Sequence, residues 1–257
     1  MEYIIKLHEQ MIRSIKNSTN SKKIGIAFSG GVDSSVLAKI CSNIGYEILL
    51  LTVGFEGSHD IEFSKNIATM LQFEHVIDII SFKSFSETAR KIRQTIQTEN
   101  LSWNENCIAF YYVSKLAKSN GIETVLTSNG IDELFCGYDA YREAIDEGEN
   151  AVIMLMNKKL GNEIQMMTAV NTVSSEFDVT ILQPFLSKEF IEFAKNIPIN
   201  EKIKDKDDVI RKHIIRKLAL TIGIPKESAL KRKKALQYGS LIHKNLMKVK
   251  KTWSTTF

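Results

Sequence analysis

The first half of the chain alternates short apolar runs with helical patterns. Runs typical of buried strands lie at Lys23 to Phe28, Tyr46 to Val53, His75 to Ile80 and Thr124 to Thr127. Apolar residues spaced three or four positions apart predict helices, at 3–18, 34–42, 61–71, 85–99 and 108–118. Strands that alternate with helices of this length indicate βαβ units. We therefore predict an α/β fold with a doubly wound parallel sheet and right-handed crossovers.

The pattern becomes mostly helical beyond Tyr138, with an interruption at Leu182 to Phe185 and an amphipathic helix predicted from Val209 to Leu220. There are no internal repeats and no obvious linker. We predict one domain over residues 1–257. It comprises an N-terminal helix in 1–20, a parallel-sheet core in 21–140, and a mostly helical part in 141–257 that packs on the core.

Composition excludes several classes of protein. Mean hydropathy is −0.11, and no apolar run approaches the roughly 18 residues that a membrane span needs. The first residues have no basic stretch followed by an apolar one, so we predict no secretory signal. Three distant cysteines (Cys41, Cys107 and Cys136) form neither a disulfide framework nor a CxxC metal motif. These features predict a cytoplasmic enzyme that does not associate with a membrane.

Charge is unevenly distributed along the chain. The net charge is +4, yet residues 202–257 contain 16 lysine or arginine residues and only 4 acidic ones. A basic segment of this kind binds nucleic acid, forms a solvated helix face, or surrounds an anionic substrate such as ATP. The motifs that follow favour the third interpretation, and nucleic-acid binding is an alternative that they do not favour.

One loop carries most of the chemical information. It follows the first predicted strand, precedes a helix, and reads Ser29-Gly30-Gly31-Val32-Asp33-Ser34-Ser35. Glycines let backbone N–H groups approach an anion, and the helix N-terminus favours negative charge. Asp33 is unusual in an anion site unless it binds a cation, which indicates Mg²⁺ bridging phosphates. The loop is neither a Walker A motif nor GxGxxG.

A simpler interpretation treats the loop as a glycine turn with Asp33 and Ser34 as helix caps. The order of strand, SGGxDSS and helix favours phosphate binding instead. The loop closely resembles the pyrophosphate loop (PP-loop) of the N-type ATP pyrophosphatases, which include asparagine, β-lactam, GMP and NAD synthetases and several tRNA-modifying enzymes. The resemblance implies an adenine nucleotide alpha hydrolase-like fold and cleavage of ATP to AMP and pyrophosphate. It also implies that ATP·Mg²⁺ contacts the loop residues, namely Ser29, Gly30, Gly31, Asp33, Ser34 and Ser35.

Two further segments resemble asparagine synthetases. The stretch from Thr52 to Ser58 is similar to the segment that lines their adenine site, which implies a backbone contact from Val53. The stretch from Ser128 to Tyr138 resembles the signature SGEGSDELFGGY. That resemblance implies that Gly130 contacts the nucleotide. It also implies that Asp132 is the second carboxylate on Mg²⁺, as well as a catalytic residue. The alternative for Asp132 is an acid that complements a helix dipole.

The C-terminal part extends the resemblance. Residues 182–203 are similar to the family's PFL…EFA segment, and a helix then leads to the run from Arg232 to Gly239. In the family this region supplies a lysine that stabilises pyrophosphate and the transition state. Lys234 is the best match, with Lys233 as its competitor; a basic surface turn is the alternative. The resemblance covers about residues 22–245 and implies the synthetase domain of an asparagine synthetase.

The sequence also departs from that family. Full-length members begin with a glutaminase domain whose cysteine follows the initiator Met, whereas Glu2 follows Met1 here. We therefore expect no glutaminase domain, and nitrogen from free ammonia, a partner glutaminase subunit or another nucleophile. In the signature, Asn129 replaces Glu, Ile131 replaces Ser and Cys136 replaces Gly.

The residue that deprotonates the nitrogen donor is also altered. The family implies a Glu in a helix before the fourth strand, and counting back places Gln97 there. Gln cannot act as a base. Glu99 and Glu105 lie nearby, although positions two apart face different sides of a helix. We predict Glu99 as the catalytic substitute.

These features predict an ATP- and Mg²⁺-dependent ligase. It activates a carboxylate, aspartate by default, as an acyl-adenylate and then forms an amide. Two alternatives remain. One is a tRNA-modifying ATP pyrophosphatase that uses Cys107 or Cys136, for which small buried side chains are the simpler interpretation. The other is a nucleotide-binding subunit that has lost its chemistry, which Gln97 would favour.

Overall fold

The computed structural model describes residues 2–231 and 236–253. Five parallel strands form one sheet in the order β3-β2-β1-β4-β5. Their bounds are β1 Lys23–Ala27, β2 Glu47–Gly54, β3 His75–Ile79, β4 Thr124–Leu126 and β5 Thr180–Leu182. The order changes direction between β1 and β4, so the carboxyl ends of these two strands border the crevice where ligands bind in such sheets.

Helices connect and cover the strands. Those of the first half are α1 Glu2–Ser18, α2 Val32–Asn43, α3 His59–Leu71, α4 Phe82–Ile96, α5 Leu101–Ser119, α6 Ile131–Leu134 and α7 Ala140–Glu147. The second half adds α8 Glu149–Ser174, α9 Lys188–Lys195, α10 His213–Thr221, α11 Lys226–Ala229, α12 Leu236–Gly239 and α13 Ile242–Trp253. Across the described ranges, none of these helices has the length and apolarity to span a bilayer.

The sheet is buried on both faces, as expected for parallel strands. Side chains alternate along β2, so Leu50 packs with Ile26 on one face while Leu49 and Leu51 pack on the other. Helices α1, α2, α9 and α10 cover the first face, and α4, α5 and α13 cover the second. The predicted doubly wound parallel sheet is confirmed.

The predicted elements differ from the structure in several places, among them the start of α5, which is Leu101 rather than residue 108. The part predicted as mostly helical contains a fifth strand, in which Thr180 pairs with Thr124. Helix α4 begins three residues early because the Ser81 hydroxyl caps it by accepting a hydrogen bond from the Ser84 N–H. Helix α10 begins at His213 rather than Val209.

Candidate functional site

A cavity opens at the carboxyl edge of the sheet. Its walls come from the ends of β1, β2 and β4, the start of α2, and side chains of α3, α5, α6 and α8. The predicted loop forms its floor. Gly30 has φ 74°, and a Cβ there would lie 3.1 Å from the Ser64 Cα, so this tight turn favours glycine. No side chain caps the start of α2. The first N–H groups of this helix are therefore available to an anion.

The serines of the loop divide into two roles. Ser29 and Ser34 line the cavity, with 3.4 Å between their hydroxyl oxygens. Ser35 is fully buried and its hydroxyl donates to the Gly30 carbonyl at 3.3 Å. Ser228 donates to the same carbonyl at 2.7 Å. Ser35 thus supports the shape of the loop from behind, whereas Ser29 and Ser34 face the cavity.

A lysine that sequence reasoning did not single out lies at the centre of the site. Lys212 Nζ is 2.5 Å from an Asp33 oxygen and 2.5 Å from an Asp132 oxygen. Its side chain is 1% exposed. Burial lowers the pKa of Lys212, and the Asp33 carboxylate opposes that effect. The structure therefore brings the two predicted Mg²⁺ ligands together on one buried cation.

The backbone around Lys212 is constrained. Arg211 and Lys212 have φ of 50° and 53°, a left-handed conformation that costs of order 1–3 kcal/mol at non-glycine residues. The Arg216 guanidinium fixes this segment by donating to the Arg211 carbonyl at 2.8 Å and to the Ala229 carbonyl at 2.7 Å. These contacts explain why α10 begins later than its apolar pattern predicts.

Gly137 provides the space that this arrangement needs. A Cβ at that position would lie 1.7 Å from an Asp132 oxygen and 2.5 Å from the Lys212 Cε. Arg211 donates to the Gly137 carbonyl at 3.2 Å, which connects the signature segment to the start of α10. The glycine is therefore required by the close approach of Asp132 and Lys212.

The donor set fits Mg²⁺. Asp33 Oδ1 is buried, and it has no hydrogen-bond donor among the described residues. Asp132 converges on the same point from α6. No group of three or more acidic, histidine or cysteine side chains is assembled for a metal within residues 2–231 and 236–253. Two carboxylates are what Mg²⁺ uses when phosphates and waters complete its octahedron.

One end of the cavity suits a nucleoside. Val53, predicted to contact adenine, lines it together with Phe28 and Phe63. The Thr52 hydroxyl donates to the Phe28 carbonyl at 2.6 Å, which holds the ends of β1 and β2 together. The Lys231 ammonium lies 3.5 Å from the centre of the Phe63 ring. Val53 and the two phenylalanines thus form an apolar surface, and the Lys231 ammonium lies beside it.

The opposite end is acidic. Glu133 is buried and accepts hydrogen bonds from the Gly130 N–H at 3.0 Å and from the Tyr138 hydroxyl. Gly130 thus begins α6 and supports Glu133; it is not among the residues that line the cavity. Glu163, from the middle of α8, lies at the same end. Burial raises the pKa of Glu133 to about 7, and the nearby Glu163 carboxylate adds to the effect.

The structure does not bring Glu99 to this cavity. Its carboxylate is 75% exposed and pairs with Arg93 at 2.6 Å, which lowers the pKa of Glu99. Glu99 lies in the segment between α4 and α5, and it is not among the residues that line the cavity. The position therefore does not support Glu99 as the proton acceptor that we predicted.

Gln97 and Glu105, the two other residues considered for the position of the base, do not line the cavity either. Gln97 ends α4 with φ 47°, so it does not belong to the helix that precedes β4. Glu105 is buried on α5, where it pairs with His243 at 2.6 Å and joins α5 to α13. The α5 residues that line the cavity carry no carboxylate; they are Ser102, Asn106, Ala109, Phe110 and Val113.

The remaining predicted residues are Lys234 and the cysteines. Lys234 and its competitor Lys233 lie outside the described residues, and Lys231, three positions earlier, lines the cavity. Cys107 and Cys136 are fully buried, and burial raises the pKa of each thiol to about 12. A nucleophilic thiolate is therefore disfavoured at both.

Comparison with known proteins now adds the family. The sequence matches the family Asparagine synthase over residues 6–176 and 165–252. A chain from Methanocaldococcus jannaschii named as a glutamine-hydrolyzing asparagine synthetase 1 is 30% identical over 285 aligned positions. The match covers 95% of this chain and 52% of that relative. A glutamine-hydrolyzing asparagine synthetase from Lotus japonicus is 27% identical, with 79% and 36% covered.

This chain thus spans about half the length of the archaeal relative and less of the plant one. Among solved structures, NMN synthetase from Francisella tularensis superposes with a TM-score of 0.49 at 16% identity, over 92% of this chain and 76% of that chain. The resemblance seen in the loop and signature segments is confirmed by the family match. The chain belongs to the asparagine synthase family.

Proposed function

We propose that this chain is an AMP-forming carbon–nitrogen ligase that activates a carboxylate with ATP and transfers nitrogen to it. The observation that carries the proposal is the convergence of the Ser29–Ser35 loop, Asp33, Asp132 and Lys212 in one cavity. Family membership supports ATP-dependent ligase chemistry at that cavity. The particular acid and the nitrogen donor are part of the proposal.

The loop is proposed to bind the phosphates of ATP. Backbone N–H groups at the start of α2 and the hydroxyls of Ser29 and Ser34 are donors, and the helix dipole favours the negative charge. Lys212 contributes a buried positive charge at the same place. In this proposal, positioning and charge neutralisation by these groups supply most of the catalysis.

Asp33 and Asp132 are proposed to hold Mg²⁺. When bound, the ion neutralises phosphate charge. Release of Asp33 and Asp132 from Lys212 leaves that ammonium to pair with phosphate oxygens. In this proposal the two carboxylates bind Mg²⁺, and Lys212 binds the phosphate oxygens of ATP.

The chemistry has two steps in this proposal. A substrate carboxylate, aspartate by default, attacks the α-phosphorus, and pyrophosphate leaves with an acyl-adenylate remaining. Nitrogen from ammonia, free or supplied by a glutaminase subunit, then displaces AMP. Lys234 is proposed to stabilise the charge that develops as pyrophosphate leaves. The names of the two relatives, which include glutamine hydrolysis, support nitrogen transfer.

A pyrophosphate-release screen tests the proposal. The chain is incubated with ATP, Mg²⁺ and single carboxylic acids, with ammonium, with glutamine or with no nitrogen donor. One acid should stimulate pyrophosphate release, and ammonium should convert that acid to its amide. The same assay without acid measures background hydrolysis. No stimulation by any acid would contradict the ligase function and favour a nucleotide-binding subunit.

A further inference from the structure

One buried carboxylate organises the loop that leads into α10. The Asp208 side chain is 6% exposed, and each of its oxygens accepts two hydrogen bonds. Oδ1 accepts from the backbone N–H groups of Ile210 at 3.2 Å and Arg211 at 3.0 Å. Oδ2 accepts from the Lys204 N–H at 3.0 Å and from the His213 imidazole at 2.6 Å. Asp208 is therefore the centre of the loop formed by residues 204–213.

Asp208 contacts both chain neighbours of Lys212. Arg211, which precedes Lys212, donates its backbone N–H to Oδ1, and His213, which follows it, donates its ring N–H to Oδ2. Because a carboxylate only accepts, His213 Nε2 is the nitrogen that carries the proton. Burial raises the pKa of Asp208, but the hydrogen bonds from Arg211, Lys204 and His213 lower it by more. The carboxylate is therefore ionised at neutral pH, which strengthens these bonds.

Two side chains divide the backbone hydrogen bonds of Ile210 and Arg211 between them. The two N–H groups donate to Asp208, and the two carbonyls accept from the Arg216 guanidinium, at 2.9 Å for Ile210 and 2.8 Å for Arg211. Arg211 and Lys212 are left-handed, a conformation that persists only where the surroundings fix it. Asp208 and Arg216 thus hold this strained turn where Lys212 enters the site.

The Lys212 ammonium needs this support most when nucleotide binds. In the structure, Asp33 and Asp132 hold the ammonium at its far end. In the proposed function those carboxylates bind Mg²⁺, and the ammonium pairs with phosphate oxygens of a substrate that reacts and leaves. The place of Lys212 then depends on its own backbone. Misplacement of an active-site group by about 1 Å costs on the order of 10²-fold in rate.

We propose that Asp208 is a positioning residue for Lys212. It keeps the left-handed turn at Arg211 and Lys212 in place, so that the ammonium stays at the phosphates while Asp33 and Asp132 bind the cation. This inference rests on the proposed function, in which Lys212 binds ATP. Asp208 is not among the residues that line the cavity, so its effect passes through Lys212.

A double-mutant cycle tests this role. Asp208→Asn replaces an acceptor oxygen by an NH₂ group that cannot accept, and Lys212→Met removes the ammonium. Wild type, both single variants and the double variant are compared in MgCl₂, by calorimetric titration with ATP and by ATP–pyrophosphate exchange with the acid found in the screen. Urea unfolding gives the stability of each protein. Asp207→Asn is the matched control, because Asp207 is the exposed neighbour on the same loop.

Asp208→Asn should weaken ATP binding in Mg²⁺ about five- to tenfold and lower kcat for exchange about 10–10²-fold. In the Lys212→Met background the same change should alter each quantity less than about twofold, because the group that Asp208 positions is gone. Asp207→Asn should match wild type. Wild-type affinity and kcat in Asp208→Asn, with only a lower stability, would overturn the proposal. Losses that multiply in the double variant would overturn it as well.

A second variant covers the case in which Asp208→Asn does not fold. His213→Phe then takes its place in the cycle, because it removes one donor and leaves the backbone contacts of Asp208. The same direction of change is expected, and wild-type values would overturn the proposal. Failure of the ligase function is seen separately, as wild-type protein that shows no exchange with any acid. The calorimetric half of the cycle would still measure how far ATP binding depends on Asp208 through Lys212.

Discussion

The ammonium of Lys212 lies 2.5 Å from a carboxylate oxygen of Asp33, although 179 positions separate the two residues along the chain. Asp132 approaches the same ammonium at 2.5 Å. Folding therefore brings two acids and one lysine together at the place where we propose that a phosphate and its cation bind. The buried charges balance only as a group, because removing one partner leaves the others uncompensated.

Replacement of Lys212 should destabilise the ligand-free protein strongly. Lys212→Met leaves Asp33 and Asp132 facing each other in a buried site, which costs about 3–5 kcal/mol of unfolding free energy. Added Mg²⁺ should restore part of the loss by neutralising both carboxylates. Urea unfolding with and without MgCl₂ measures this. Lys217→Met is the control, because Lys217, on the helix that follows Lys212, is 54% exposed. If the two variants unfold alike, Lys212 does not have the assigned role.

Binding of ATP should depend on Asp33. Asp33→Asn keeps the volume but removes a cation ligand, so affinity for ATP in Mg²⁺ should fall at least tenfold, or about 1.4 kcal/mol. Without Mg²⁺ the variant and wild type should bind ATP equally weakly. Calorimetric titration of each protein with ATP, with and without Mg²⁺, measures these affinities. Asp146→Asn is the control, because Asp146 is exposed. Unchanged affinity in Mg²⁺ would argue against Asp33 as a metal ligand.

Gly137 and Gly161 make an informative pair. Gly137→Ala would place a methyl group 1.7 Å from an Asp132 oxygen, so the variant should lose both stability and ATP binding. Gly161 lies within α8 with nothing within 4 Å of an added Cβ. Gly161→Ala should stabilise the protein by about 0.5–1 kcal/mol. Thermal unfolding distinguishes them, and a harmless Gly137→Ala would refute the close approach.

Lys234 should affect turnover more than binding. If it acts on charge that develops as pyrophosphate leaves, Lys234→Ala should lower kcat by about 10²–10³-fold with little change in ATP affinity. Lys233→Ala is the matched comparison one position away. Steady-state kinetics with both variants provides the test. Equal and mild effects would support a basic surface turn and place the catalytic cation elsewhere.

Local signals predicted the sheet and the loop well. Apolar runs identified β1 to β4, and two glycines between a strand and a helix identified the loop that carries Asp33 into the cavity. Strand β5, Thr180–Leu182, was missed because it stands within a part of the chain whose pattern is otherwise helical. Its pairing with β4 depends on tertiary contacts that no local pattern reports.

Two cavity residues, Lys212 and Glu163, were missed for a shared physical reason. Lys212 lies in a segment rich in lysine, and only its long-range contacts distinguish it from the solvated residues around it. Glu163 is one of two acids in the long helix α8, and its burial follows from packing against the signature segment. Glu99 was predicted from its spacing along one helix, but the chain turns at Gln97 between α4 and α5. For Lys212 the one available signal was its position before an amphipathic helix.

The nucleotide product tests the central claim most directly. The Ser29–Ser35 loop lacks a P-loop lysine and lies within residues 6–176, which match the asparagine synthase family. We therefore expect cleavage of ATP between its α- and β-phosphates. Wild-type protein with ATP, Mg²⁺ and the stimulating acid should yield AMP and pyrophosphate in equal amounts on ion-exchange chromatography. ADP and inorganic phosphate as the main products would contradict the account.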